Sequence, residues 1–342
     1  MDVFKKFEQD DIVKANPAEV STGLWTGDTG SLALFHISAA QSASAGGQYY
    51  YDVYNDNVIT SSAEVQFAVA YGNIHGHGAE TLTENDNALL PTKSTYFQYR
   101  NILLEPDDTN FSFLPASGSG TYDSDDIYVI NIKRSRLKEK LDPGNWSLIL
   151  SSSTTQSTFI DDSGQTLGET FGTSGRVFNV VKGTLTGDSG STVHASSSIS
   201  GGYGLVYPDV GIIVLNPNAL TAEGLVTAVE VGTDLDYNNK YKLLESIMSG
   251  SDFQARSAEV ISSTHYFVRM RNKEFNYSNN PSFFNEANGA ILNTNFVQDP
   301  KVFATTVGLY NDNNELLAIA KVSQPLMKSF DREALVRVRL DF

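Results

Sequence analysis

Residues 63–71, AEVQFAVAY, place Val65, Phe67, Val69 and Tyr71 at every second position. A period of two marks a strand with one buried face, because successive side chains of an extended backbone point to opposite sides. The same alternation ends the chain, where Ala334, Val336, Val338, Leu340 and Phe342 interleave with Leu335, Arg337, Arg339 and Asp341. Between these two segments, strands are expected over residues 127–132, 146–150, 177–181, 205–215, 264–270, 302–310 and 316–322, and ahead of them over 32–37 and 49–54. Asn311, Asp312, Asn313 and Asn314 separate 302–310 from 316–322. Asn and Asp tolerate left-handed backbone and form Asx turns, so a hairpin is expected there.

Helical pattern is scarce. Short helices are expected over 92–104, 133–141, 221–229 and 241–248, stopped by Pro or Gly as in Asp142-Pro143-Gly144 and Gly250. The fold class that follows is mainly β, with β-sandwich-like sheets, long polar loops and a few short helices. The chain reads as an N-terminal arm over 1–20, ordered by a partner, and a β-rich domain over 21–160 with a short basic helix. A Gly/Ser-rich loop region over 161–204 follows, then a second β-rich part over 205–342 ending in a C-terminal strand.

The 342 residues hold 24 Lys and Arg against 40 Asp and Glu, a net charge of −16. That balance argues against binding nucleic-acid phosphates or anionic lipid. The absence of cysteine removes disulfide frameworks, thiolate metal sites and thiol catalysis. With 40% apolar and 19% charged residues the composition is that of a folding chain. The opening stretch MDVFKKFEQDDIVKANP carries a charge every few residues, so no export segment is expected in it. The densest apolar run, 211–215, is far shorter than the ~20 residues that cross a bilayer. Charge is uneven: residues 1–250 hold 14 basic and 30 acidic residues, while 251–342 hold 10 of each.

Gly187-Asp188-Ser189-Gly190 matches the nucleophile loop of chymotrypsin-like proteases, with His36 and Asp86 upstream in triad order. Ser191 stands where that loop has a further glycine and His36 lacks the flanking pattern, so the segment reads as a polar loop. His75-Gly76-His77 has metal-ligand spacing, but two ligands do not make a site and the glycine favours a loop. Asp234, Asp236, Asn238 and Glu245 occupy positions 1, 3, 5 and 12 of the calcium-loop template and are the metal candidates. Asn239 replaces the template's glycine, and Lys240 and Lys242 bring positive charge, so Asp236 or Asn238 is expected to cap a helix instead. The pairs Asp107-Asp108, Asp125-Asp126 and Asp161-Asp162 are no more than forty acids produce by chance. No catalytic residue, cofactor or small-molecule substrate is expected.

Clustered cations remain. Lys133, Arg134, Arg136, Lys138 and Lys140 fall within eight residues of an otherwise acidic half, which makes them a docking candidate for an acidic neighbour or else a solvated helix face. Arg269, Arg271 and Lys273 share one face of a strand, and Arg337 and Arg339 do so on the terminal strand. Both sets suit contacts to another subunit or salt bridges within the fold.

Residues 275–283, FNYSNNPSF, and 302–330, VFATTVGLYNDNNELLAIAKVSQPLMKSF, resemble a C-terminal segment of virion structural proteins of large contractile-tailed bacteriophages, particularly marine, cyanophage-type ones. GQYYYDVYN (47–55), AEVQFAVAYGN (63–73), QYRNILLEP (98–106), IYVINIKRSRLKEKLDPGNW (127–146), YPDVGIIVLN (207–216) and STHYFVRMRNKEFNYSNNP (263–281) are similar to the same group. The resemblance implies a structural subunit of a myovirus-like contractile tail, in the baseplate, located in the virion and assembled in the host cytoplasm. Its implied partners are other tail and baseplate proteins and copies of itself, with neither nucleic acid nor membrane, and no catalytic residue carries over. Two alternatives stand beside it: a neck or connector subunit, and a receptor- or glycan-binding tail adhesin suggested by Tyr49, Tyr50, Tyr51 and Tyr54.

Overall fold

The computed structural model describes residues 4–42, 49–79, 91–114, 121–164, 170–185, 202–231 and 238–342. It is mainly β, with 43% strand and 16% helix. Two compact units make up the chain: Val20–Glu259, and Met1–Glu19 together with Val260–Phe342. This division corrects the expected one. The boundary lies near residue 260 instead of 205, and the N-terminal segment belongs to the same unit as the C-terminal strand. Ile12–Lys14 pairs antiparallel with Ser263–Met270, Val13 facing His265, so this arm is ordered by its own chain. The supposed loop region also holds Thr170–Gly172 and Gly175–Lys182 as paired strands, while its Ser-rich part over 186–201 lies outside the described residues.

The large unit is built on one eleven-stranded sheet. Ten strands follow the order Ser31–Leu32, Phe253–Gln254, Ser147–Ser151, Gln156–Asp161, Gly175–Lys182, Gly204–Tyr207, Ile212–Leu215, Asp126–Ile132, Val65–Asn73 and Tyr50–Tyr54, and Thr170–Gly172 pairs off this path. Every pairing is antiparallel. The two ends of the path meet, because His36, just beyond the first strand, exchanges backbone hydrogen bonds of 3.0 and 2.8 Å with Tyr54 in the last. A sheet that returns on itself leaves few unpaired edges.

Alternation assigns the two faces. Phe67, Val69 and Tyr71 join Tyr128, Ile130 and Ile132 on one side, where the helix Asn239–Gly250 packs Leu243, Leu244 and Ile247 among them. Each such side chain, fully buried, stabilises the fold by about 1.5–3 kcal/mol. On the other side Ala70, Ile127, Val129 and Val214 meet Tyr96, Tyr99 and Leu103 of the helix Pro91–Leu103, with Phe111 and Phe113 of a small hairpin. Strands covered on both faces read as unbroken apolar runs, which is why 127–132 shows little alternation. Small residues let the helices come close: a Cβ at Gly72 would lie 2.9 Å from the Tyr96 nitrogen, and one at Gly250 would overlap the Ile149 carbonyl.

Four expected elements differ. The strand expected over 32–37 is only Ser31–Leu32, followed by an isolated bridge at His36. The run 205–215 is two strands, Gly204–Tyr207 and Ile212–Leu215, separated by a turn in which Gly211 has φ +70°. The basic helix shrinks to Arg134–Leu137, because Lys138 turns to φ +54° and Lys140–Leu141 leaves to pair with Arg256–Ile261. Leu137 and Leu141 are both buried, so their spacing of four fits a helix although only the first sits on one. The helix expected over 221–229 lies at Pro217–Ala222, started by Asn216, whose side chain accepts from the Asn218 and Ala219 amides ahead of a helix-opening proline.

The small unit is a two-layer sandwich. One layer is the three-stranded sheet of Ile12–Lys14, Ser263–Met270 and Ala334–Asp341, and the other is the hairpin of Val302–Tyr310 with Leu316–Lys328. Its turn is the expected Asx turn: Asn311 Oδ1 accepts from the amides of Asn313 at 3.0 Å and Glu315 at 2.8 Å, and Asn314 has φ +60°. Val307, Leu309, Ala318 and Ala320 pack onto Tyr266, Val268, Val336, Val338 and Leu340. The buried Lys328 ammonium donates to the carbonyls of Asn272 and Ser329 and to the Asn276 side chain, closing the base of the Asn-rich loop that follows residue 270.

Candidate functional site

The face of the three-stranded sheet turned away from the small unit's core gathers cations from distant parts of the sequence. Pairing of Ser263–Met270 with Ala334–Asp341 sets His265 opposite Arg339, Phe267 opposite Arg337, and Arg269 opposite Leu335. Residues directly opposed in an antiparallel ladder share a face at about 5 Å between Cβ atoms. Arg269, Arg337 and Arg339 are exposed, as are Leu335 at 56% and Val13, which lies beside His265, at 45%. Arg339 Nε donates to Asp341 Oδ1 at 2.7 Å, and Ser263 Oγ donates to the same oxygen at 2.6 Å. The Ser263 hydroxyl first, and then Arg339, hold the Asp341 carboxyl below its ordinary range. Among the described residues the guanidinium groups of Arg269 and Arg337 form no ion pair.

Arg271 and Lys273 do not continue this face. The strand ends at Met270; Arg271 turns to Glu8 at 3.2 Å, its amide donates to Glu274, and Lys273 is exposed in the turn. Alternation alone carries the pattern past residue 270 because it has no means of marking where hydrogen bonding stops.

The other basic segment is dispersed. Arg136 pairs with Glu64, and Lys138 donates to Thr22 Oγ1 at 2.9 Å and lies 3.9 Å from Asp28. Arg134 donates to the Glu139 carbonyl at 3.1 Å, and Lys140 lies on the following strand. Lys133 and Arg134 border an open depression of about 460 Å³ that also contains Asp52. Burial pushes the Asp52 carboxyl up, opposed by the Lys133 charge. A single helix face presenting five cations does not form, since the helix is one turn long.

Of the calcium-template residues, Asp234 and Asp236 lie outside the described residues. Asn238 stands at the N-cap position, but its side chain makes no capping bond and donates to the Tyr51 hydroxyl at 2.7 Å, while Glu245 is exposed on the helix. Among the described residues no group of three His, Asp or Glu side chains is placed to hold a metal ion. His36 enters the sheet through its backbone; Asp86 and Ser189 lie outside the described residues. Within the Tyr-rich strand, Tyr51 is buried and Tyr50 is 41% exposed, as alternation requires.

One polar corner was not legible in the sequence. At the end of the Val65–Asn73 strand, Asp126 accepts from Tyr71 at 2.5 Å and from Asn73 at 2.7 Å. Asn73 Oδ1 in turn accepts from the amides of His75 and His77, whose rings stand 5.7 Å apart. His75 Nε2 lies 3.7 Å from Asp125. Burial first, then the Asp126 charge, pushes the Tyr71 phenol above its ordinary range. The signal available was weak, an Asn following the last alternating residue, and the partner Asp126 is more than fifty positions away. The arrangement ties a loop to the sheet. Compared with known protein families, curated proteins and solved structures, the chain matches none of them.

Proposed function

We propose that this chain is an assembly subunit that works through its surfaces, and that its place is the contractile tail of a bacteriophage, in the baseplate. The tail assignment rests on the resemblance of residues 275–283 and 302–330 to virion proteins. The observation that carries the assembly role is the outer face of the small unit's three-stranded sheet, where exposed Arg269, Arg337 and Arg339 alternate with Phe267, Leu335 and Val13. Arginine mixed with aromatic and aliphatic side chains is the composition favoured in protein interfaces. On the hairpin layer Leu317 and Ile319 also point outward, 68% and 63% exposed, alternating with the inward Ala318 and Ala320. Single exposed apolar residues are ordinary, whereas rows on the outer faces of both layers of a thin sandwich suit contact with neighbours.

Peptide mapping of purified phage particles, followed by placement of the chain in their density, tests this reading. Repeated copies in the tail are the expected result, and absence of the chain from intact particles overturns it. An adhesin is favoured by one observation, the exposed Tyr50 on a strand whose neighbour Tyr51 is buried. Glycan binding abolished by Tyr50→Ala, with particle assembly intact, is the result that would select it.

A further inference from the structure

The charge is divided between the two units in a way the whole-chain total conceals. Val20–Glu259 holds 12 basic and 27 acidic residues, a net charge of −15, whereas the small unit holds 12 and 13, a net charge of −1. The near-neutral unit nevertheless concentrates Arg269, Arg337 and Arg339 on one sheet face, with Asp341 the acid paired among them.

The large unit has an exposed acidic edge of matching kind. Asp107 and Asp108 follow the helix Pro91–Leu103, and Asp123 and Asp125 border the hairpin of Phe111–Phe113 with Tyr122–Ser124; all four are exposed. Asn110 donates to Asp125 at 3.2 Å, and Asp123 lies opposite Ser112, so the two pairs of acids flank one short stretch of chain. The adjacent cation does not pair with them: the Arg100 guanidinium donates to the main-chain carbonyls of Pro106 and Asp108, while Asp123 accepts from the Ser112 hydroxyl at 2.6 Å and Asp125 lies 3.7 Å from His75 Nε2.

We propose that the Arg269–Arg337–Arg339 face of one copy docks on the Asp107–Asp108–Asp123–Asp125 edge of a second copy of this chain. This deepens, and rests on, the reading as an assembly subunit. The two patches differ, so the contact is heterologous: each copy gives one patch and receives the other, and copies join head to tail into a ring or an open row. Pairing the terminal strand edge to edge with a two-fold mate about Val338 would instead set Arg337 of one copy against Arg339 of the other, and like charges directly opposed are destabilising. A contact dominated by exposed charge is strongly screened by salt, with a Debye length of ~30 Å at 0.01 M and ~3 Å at 1 M.

Sedimentation of the full chain at low and high salt tests this. Self-association at low salt is expected to weaken by about tenfold or more at about 0.5 M salt. The paired substitutions Arg269→Ala with Arg337→Ala, and Asp107→Asn with Asp108→Asn, are each expected to give monomers with unchanged melting temperature. An equal mixture of the two variants retains one intact contact per pair, so it should form dimers and nothing larger. A wild-type chain that stays monomeric at low salt, or a mixture in which no dimer forms, overturns the proposal. If the chain is monomeric yet present in purified particles, this contact falls and the assembly reading stands. If copies join as described but are absent from particles, the contact stands and the tail assignment falls.

Discussion

His36 and Tyr54 exchange both of their backbone hydrogen bonds, at 3.0 and 2.8 Å, and so join the first and last strands of the large sheet's path. The role of His36 in this fold is carried by its amide and carbonyl, with the imidazole outside the ladder. His36→Pro removes the donor and is expected to cost about 3 kcal/mol, while His36→Ala should stay within about 0.5 kcal/mol of the wild type. Urea unfolding of the two variants checks this; equal losses in both would show that the ring, not the backbone pairing, matters.

Gly250 ends the helix Asn239–Gly250 where it meets the strand Ser147–Ser151, and a Cβ there would overlap the Ile149 carbonyl oxygen. Gly250→Ala is therefore expected to destabilise by about 1–3 kcal/mol as overpacking, despite alanine's better helix propensity. Gly30→Ala, where a Cβ meets nothing within 4 Å, is the matched control and should be near neutral. Thermal melts of both proteins decide it.

Glu223 accepts from the Tyr203 hydroxyl at 2.5 Å and pairs with Lys182 at 3.1 Å. These contacts, the Tyr203 hydrogen bond foremost, hold its carboxyl below the ordinary 4.5. A carboxyl whose pKa is lowered by folding adds stability above its unfolded value, and this stability is lost as pH falls through the folded value. Tyr203→Phe is expected to cost about 1 kcal/mol at pH 7, a hydrogen bond to a charged but partly exposed acceptor. The variant should also lose less stability than the wild type between about pH 5 and pH 3, because the gap between folded and unfolded values narrows. Denaturation midpoints across that range provide the measurement.

The basic segment separates into replaceable and anchored members. Arg136 pairs with Glu64 and is three-quarters covered, whereas Arg134 donates to the Glu139 carbonyl, forms no ion pair among the described residues and borders the open depression beside Asp52. Arg136→Glu should cost about 1 kcal/mol or more by opposing two carboxylates, and Glu64→Arg in the same chain should recover part of it. Arg134→Glu should leave the melting temperature unchanged. A double-mutant cycle read by chemical denaturation measures the coupling.

Much of the strand inventory was legible. Residues 302–310 and the Asn311–Asn314 turn stand where they were expected, because alternation and Asx chemistry are properties of neighbouring residues. The basic helix over 133–141 was misread because Leu137 and Leu141 carry a helical spacing even though Leu141 is buried by sheet pairing. The N-terminal arm was misread because nothing in residues 12–14 names a partner some 250 positions away. The same reason hid the Tyr71–Asp126–Asn73 corner.

The sequence by itself determined that this protein is mainly β and which side chains of each strand share a face, since a backbone with a period of two reads its pattern locally. Only the tertiary structure decided that Arg269 and Arg337 stand on the same face of one sheet, because ladder register depends on hydrogen bonds between residues far apart in the chain, and shifting it by one residue turns a strand's outward side chains inward.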